Sequence, residues 1–332
     1  MTEPRIDTPG ASQSAAIPVF RAIDEVPSFF GPTIAAIGNF DGVHLGHREI
    51  LSAAVVQARS SGARALAITF DPHPEHFLRP AKAPRLITPT AERIRLLTQA
   101  GVDAVLVLPF TAELARLSAR DFTCNLLVDK LRVRAVHEGQ TFRFGHRAAA
   151  GVKELAEFGA EMGFAVHVHS AVRVHGLEVS SSAIRALIAQ GDVRRARWML
   201  GRPFAIASTP ARGRGIGTRL LVPTVNLAEF HGGMSQALLP AFGVYVTCLR
   251  IGGRPFQAVT NIGNRPTFGE PSFAIESHIL NFEAVDVDEA TPLELEFLSR
   301  LRGEMKWPTP EALKEQIMKD VARAKRYFRL VR

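Results

Sequence analysis

Between Thr33 and about Gln190 short apolar runs alternate with amphipathic stretches, and this alternation restricts the fold more than any other feature of the chain. The runs "TIAAIGNF", "ARALAITF", "DAVLVLPF", "VRAVH" and "FAVHVH" predict strands, and the segments between them predict helices. One helix is expected over "TAERIRLLTQA", with Thr88 as its N-cap and Pro89 at its first position. Strand and helix in regular succession build a parallel sheet covered by helices, so the first part of the chain is α/β.

After "GDVRRARWMLGRPF" the texture changes. Shorter segments punctuated by Gly and Pro follow, among them "FGVYVTCLRI", "RPFQAVTNIG", "FAIESHILNF" and "LELEFLSRLR", and they predict antiparallel strands closing a small barrel. A last helix is expected after the start signal Thr309 and Pro310, with Leu313, Ile317, Val321 and Phe328 on one face. These observations divide the chain into a tail over 1–18, expected to be disordered, an α/β domain over 19–200 and a barrel domain over 201–332.

A length of 332 residues with 46% apolar side chains is enough for two cores. No apolar run approaches the roughly 18 residues that span a bilayer, and the first residues lack a signal peptide's apolar centre. A cytoplasmic protein with no membrane partner is expected. Cys124 and Cys248 stand apart, outside any CxxC spacing, and read as small buried side chains. The net charge of +8 concentrates where Arg185, Arg194, Arg195, Arg197, Arg202, Arg212, Arg214 and Arg219 are opposed by Asp192 alone. No aromatic residues interleave with them as stacking platforms, so a solvated helix face or a phosphorylated small substrate fits better than nucleic acid.

"AIGNFDGVHLGHREIL" places His44, Gly46 and His47 at a junction between strand and helix. The C-terminal end of a parallel strand is where such sheets bind ligands, and a helix N-terminus offers free N–H groups to an anion. His44 and His47, three residues apart, share a helical face and can address one phosphate, with Gly46 leaving the approach open and Asp41 and Gly42 shaping the turn. Imidazole N–H groups there would stabilise charge that develops during transfer of a phosphoryl group. Far along the chain, "VSSSAIRALIAQGDV" opens a helix with Ser180, Ser181 and Ser182 and sets Arg185 one turn in. Hydroxyls, helix N–H groups and a guanidinium make a second anion-binding set, although a serine cap with a solvated arginine would look the same.

These residues resemble the HxGH nucleotidyltransferases, and "GNFDGVHLGHREIL", "FDPHPEHFLRP" and "RLITPTAERIRLL" together resemble the FMN adenylyltransferase half of the prokaryotic bifunctional riboflavin kinase/FAD synthetases. In the second part, "PTVN", "FGVYV", "NIGNRPTFG", "ESHILNF" and "LRGEMKW" follow in the order of riboflavin kinases. The resemblance implies a Rossmann-like nucleotidyltransferase domain with a parallel sheet, joined to a small antiparallel β-barrel kinase domain with a terminal helix. It implies two reactions: riboflavin and ATP to FMN and ADP, then FMN and ATP to FAD and pyrophosphate. His44 and His47 would be catalytic, with Gly38, Phe40, Asp41, Gly42, Gly46, Ser180, Ser181, Ser182 and Arg185 around the nucleotide phosphates. Glycine-rich "GRGIGTRLLVPTVNL" lacks the ending of a Walker A loop; in it Gly215, Gly217 and Pro223 would hold phosphate, and Thr224 and Asn226 would bind Mg²⁺. Glu276 would take the proton of the ribityl 5′-hydroxyl. Phe142, Phe144, Arg302 and Glu304 would contact flavin. The expected ligands are riboflavin, FMN, FAD, ATP and Mg²⁺.

Four positions depart from the family pattern. Thr141 stands where a carboxylate or amide is expected, Ala183 replaces an arginine, Leu221 replaces a glycine, and Asn281 opens a segment unlike the usual one. Loss of one activity, or a binding protein without turnover, are the alternatives these positions raise.

Overall fold

The computed structural model describes residues 17–211, 224–228, 238–265, 272–285 and 287–331. The chain packs as two compact units: residues up to Asn39 with Ile50–Pro74 and Ile94–His169, and Phe40–Glu49 with Glu75–Arg93 and Ser170 onward.

The first unit is built on six parallel strands: β1 (Val19–Phe20), β2 (Thr33–Ile37), β3 (Arg64–Asp71), β4 (Ala104–Pro109), β5 (Val133–Gly139) and β6 (Ala165–His169). They lie in the order β1-β4-β3-β2-β5-β6. Every residue of β2 is buried, as a central parallel strand requires, and this explains a run with no polar alternation. Five strands fall where the sequence predicts them; β1, of two residues, is too short to leave a periodic signal. Helix α1 (Leu45–Ser61) leaves the end of β2 and buries Leu51, Ala54, Val55 and Ala58. Helix α2 spans Thr90–Gln99, two residues after Thr88. Helix α3 (Val152–Met162) ends on Gly163 in the left-handed conformation.

In the second unit α4 (Ser181–Ala189) and α5 (Val193–Leu200) form a helical hairpin. The barrel follows: β7 (Phe204–Ser208), β8 (Thr224–Asn226), β9 (Gly243–Ile251), β10 (Arg254–Arg265), β11 (Ser272–Ile279) and β12 (Leu293–Gly303). Their order is β7-β12-β9-β10-β11-β8, all antiparallel. Closure comes from the chain just after β7, where Ala211 N–H donates to Asn226 O and Ala228 N–H to Thr209 O, both at 2.8 Å. The residues of the barrel interior, including Tyr245, Ile262, Ile275, Leu295 and Phe297, share one apolar cluster with Ile184, Ile188, Val193, Met199 and Leu200 of the hairpin. Gly191 turns the hairpin at φ +79°, and a Cβ there would stand 2.8 Å from the Tyr245 hydroxyl. The turn can lie this close to the barrel only without a side chain.

Helix α6 (Pro310–Leu330) begins as expected, with Ala312 N–H donating to the Thr309 hydroxyl at 3.2 Å. Its inner face differs from the predicted one. Val321, Tyr327, Phe328 and buried Ala324 pack on Val244, Val246 and Val259, whereas Leu313 and Ile317 remain 40% and 46% exposed. The reason is Asp320, buried at 2% exposure, whose carboxylate accepts from Arg302 Nε and from Gln316 Nε2, each at 2.9 Å. An ion pair, invisible to an apolar count, sets the rotation of the helix.

Candidate active sites

The junction between β2 and α1 is a tight turn in which Phe40 and Val43 adopt left-handed conformations, at φ +47° and +37°. Such strain in branched and aromatic residues persists only where the surroundings over-determine it. Asp41 supplies much of that restraint. Its side chain is 1% exposed, and its Oδ1 accepts from Thr88 N–H at 3.0 Å and from the Thr88 hydroxyl at 3.3 Å. Oδ2 accepts from Ile87 N–H at 3.0 Å and from Arg185 Nη2 at 2.7 Å. Gly42 N–H donates to the Thr88 hydroxyl at 3.0 Å, and the Ser181 hydroxyl to Asp41 O at 2.8 Å. Thr88 thus holds the turn at 40–43, which the sequence reading as a helix cap does not anticipate.

His44 and His47 are stacked, ring centroids 3.6 Å apart at 15°, and Phe40 meets His47 edge-on at 5.2 Å. His47 N–H donates to His44 Nδ1 at 3.2 Å, which makes Nδ1 an acceptor and puts the proton of the neutral ring on Nε2. Burial lowers the pKa of His44 to about 4 despite the opposing attraction of Asp41. Burial, reinforced by His44, also holds His47 well below its usual value. Both rings are therefore neutral at pH 7. His47 Nδ1 is buried and without a hydrogen bond among the described residues. Gly46 lies against the His44 ring, where a Cβ would come within 3.3 Å of Cε1 and Nδ1.

The serine motif opens α4 as predicted. Ser180 caps the helix, its hydroxyl accepting from Ala183 N–H at 3.2 Å, and Ser182 is exposed. Ala183 packs against the apolar cluster, so the position that departs from the family pattern faces the core. Arg185 is brought to the histidine turn, where Nε also donates to Arg85 O at 3.0 Å. In the first unit Gly38 N–H donates to Ile68 O at 3.0 Å. There Phe142 and Phe144 stack 5.3 Å apart and pack partly buried against the core, beside exposed Thr141. A buried carboxyl that no motif signals also lies there: Glu138 Oε1 accepts from Ile37 N–H at 2.7 Å, and burial raises its pKa well above the carboxylate range.

In the barrel, strand register gathers the second set of residues. Asn226 of β8 pairs with Glu276 of β11, which pairs in turn with Asn261 of β10. Directly opposed residues of antiparallel strands share a face, so Asn226, Glu276 and Asn261 form one row and Thr224 with His278 the next. The Thr224 hydroxyl lies 3.3 Å from His278 Nδ1. Sequence reading passes over Asn261 and His278; only the pairing of strands finds them. Gly215, Gly217, Pro223 and Leu221 lie outside the described residues. Arg302 is engaged by Asp320 and stacks over Trp307 at 5.5 Å, and Glu304 extends over Gly263, where a Cβ would stand 2.5 Å from Oε1. Asn281 accepts from Gln257 N–H at 2.7 Å through its Oδ1.

Comparison with known proteins matches the FAD synthetase family to residues 27–183 and the riboflavin kinase family to 200–328. A bifunctional riboflavin kinase/FMN adenylyltransferase of Pseudomonas fluorescens is 36% identical, over 88% of this chain and 92% of its own length. The chain belongs to this bifunctional family. The Escherichia coli K12 member is 32% identical over 90% of this chain and 94% of its own. A crystal structure named as a macrolide-efflux protein from Streptococcus pneumoniae is also similar, with TM-score 0.77, 25% identity, and coverage of 92% of this chain and 98% of that one. Among the described residues no helix is long and apolar enough to cross a membrane.

Proposed function

We propose that the chain makes FMN from riboflavin and then FAD from FMN, with ATP as co-substrate of both steps and within the cytoplasm. Adenylyl transfer belongs to residues 19–200 and phosphorylation to 201–332. The observation that carries the reading is the neutral, stacked His44–His47 pair at the N-terminus of α1.

In adenylyl transfer an FMN phosphate oxygen attacks the α-phosphorus of ATP, the Pα–O bond to the β-phosphate breaks, and pyrophosphate leaves. His44 Nε2–H donates to oxygens whose charge grows in that step, and a neutral donor fixed in advance needs no reorganisation. His47 adds a second ring with a buried nitrogen still to be satisfied. Ser180, Ser181, Ser182, Gly38, Phe40, Asp41, Gly42, Gly46 and Arg185 act as the phosphate cradle. Asp41 and Arg185 do so mainly by holding the turn, because their charges are spent on each other. Phe142 and Phe144 offer stacked rings to the isoalloxazine.

In phosphorylation Glu276 accepts the proton of the ribityl 5′-hydroxyl while that oxygen attacks the γ-phosphorus of ATP and ADP departs. Thr224 and Asn226 present neutral hard oxygens two residues apart on the face of Glu276, a donor set that suits Mg²⁺. Bound there with the nucleotide, Mg²⁺ would neutralise phosphate charge. Gly215, Gly217 and Pro223 contribute the phosphate loop, and Arg302 and Glu304 the flavin side.

Product analysis with ATP and Mg²⁺ tests the reading, supplying riboflavin in one reaction and FMN in another. FAD in both is expected. FAD from FMN alone, or FMN from riboflavin alone, would restrict the function to one half, and no flavin product from either would end it.

A further inference from the structure

Of the arginines concentrated after Arg185, one stands at the histidine turn with no role assigned to it. Within the second unit, α5 ends against the start of α1. A Cβ on Gly42 would stand 3.3 Å from Leu200 Cδ2, and a Cβ on Gly201 would stand 2.8 Å from Leu45 Cδ2 and 3.3 Å from Arg48 Nη1. Leu45 packs against the same apolar cluster as Leu200. Gly201 closes α5 in the left-handed conformation, at φ +69°, so the chain leaves the helix beside this contact and the next residue is Arg202. Arg202 is half-buried, and its charge, like that of Arg185, acts on His44 and helps to lower the pKa of that ring.

The turn itself brings no net charge to a phosphate. Both imidazoles are neutral at pH 7, and Asp41 and Arg185 neutralise each other. A polyphosphate carries several negative charges, which neutral donors alone do not balance. The first turn of α1 holds no acidic residue, exposed Arg48 lies in it, and Glu49 after Arg48 faces another direction. The buried Nδ1 of His47 still lacks a hydrogen bond among the described residues. We propose that Arg202, with Arg48 meeting the chain one residue before it, binds the polyphosphate of ATP in adenylyl transfer. The segment that opens the phosphorylation half would then complete the site of the other half. A guanidinium suits this role because its planar fork can meet two phosphoryl oxygens at once. The packing of Leu45 and Leu200 fixes the backbone from which Arg202 extends, so the charge is held near His44 before substrate arrives. This inference deepens the adenylyl-transfer reading and rests on it.

The test uses the full chain and three variants. Arg202→Met removes the charge and keeps most of the stem, Arg202→Lys restores a charge, and Arg194→Met removes one from an exposed position of α5. FAD formation from supplied FMN is measured with ATP varied and, separately, with FMN varied. In Arg202→Met the KM for ATP should rise about 10-fold or more, as for a lost charge-assisted hydrogen bond. The KM for FMN should change little, Arg202→Lys should recover most of the loss, and Arg194→Met should behave as wild type. Binding of inorganic pyrophosphate, followed by calorimetry, needs no turnover and should weaken about 10-fold or more in Arg202→Met. A wild-type chain that made no FAD would end the adenylyl-transfer reading, whereas the pyrophosphate titration would still decide the role of Arg202. Circular dichroism and a thermal midpoint establish that each variant is folded. An unchanged KM for ATP and unchanged pyrophosphate affinity in folded Arg202→Met, a rise in the KM for FMN alone, a Lys variant no better than the Met variant, or equal weakening in Arg194→Met would each overturn the assignment.

Discussion

Arg185 reaches back 144 residues to place Nη2 2.7 Å from Asp41 Oδ2 in an ion pair almost closed to solvent. The bond ties the start of α4 to the turn that leads into His44 and His47. Removing one member of a buried pair strands the other charge, which costs about 3–5 kcal/mol. Asp41→Ala should therefore lower the unfolding free energy by that amount, seen as a lower urea midpoint with an unchanged m-value, and should abolish FAD formation from FMN. An unfolding free energy within about 1 kcal/mol of wild type, roughly the error of such a measurement, would show that the pair restrains nothing.

The depressed pKa of His44 makes stability depend on pH. The unfolded ring takes up a proton near 6.5 and the folded ring only near 4, so the unfolded state binds more protons between these values. Stability is full above 6.5 and falls as the pH drops toward 4, by roughly 3 kcal/mol for this group. Glu138, with its raised pKa, acts in the opposite sense, favouring the folded state at low pH. The comparison is therefore between wild type and His44→Asn at each pH. Their difference in unfolding free energy should narrow steadily on acidification, and a constant difference would contradict the assignment.

Glu276→Gln keeps the volume and the strand pairing with Asn226 and Asn261 but removes the carboxylate proposed as the base. FMN formation from riboflavin should fall by about 10²–10⁴, the usual range for a lost general base. FAD formation from supplied FMN should stay within twofold of wild type, roughly the scatter of such assays. Equal loss of both activities would point to misfolding or to a shared site.

Inside the barrel Thr247, Thr260 and Ser277 form a buried hydroxyl chain, with Oγ1···Oγ1 2.7 Å and Oγ1···Oγ 2.8 Å. Thr260→Val breaks both links while preserving shape, leaving two hydroxyls short of a partner. A loss of about 1–3 kcal/mol is expected in chemical denaturation, whereas Thr260→Ser should cost less.

Much of this arrangement is legible in the chain itself. Strands such as "ARALAITF" announce themselves by composition, and the histidine motif by its place between strand and helix. What escapes is whatever depends on partners distant in sequence. Thr88 has the appearance of a cap because Asp41, 47 residues earlier, cannot be seen from its neighbourhood. The face of α6 is misjudged because Asp320 is buried by Arg302, and burial of a charge needs a partner that periodicity does not name. His278 and Asn261 enter the kinase face only through register. Glu138 follows His137 near the end of the strand "VRAVHEG", where the pattern does not tell a buried carboxyl from an exposed one.

The core shared by the α4–α5 hairpin and the barrel has a practical consequence for anyone wishing to study phosphorylation in isolation. A fragment begun at Gly201, where the texture of the sequence changes, would discard Ile184, Ile188, Val193, Met199 and Leu200, each buried at 3% exposure or less. Burial of one such side chain is worth about 1.5–3 kcal/mol, so their loss would leave the barrel with an open apolar flank and a tendency to aggregate. A fragment begun before Ser180 would carry its own lid.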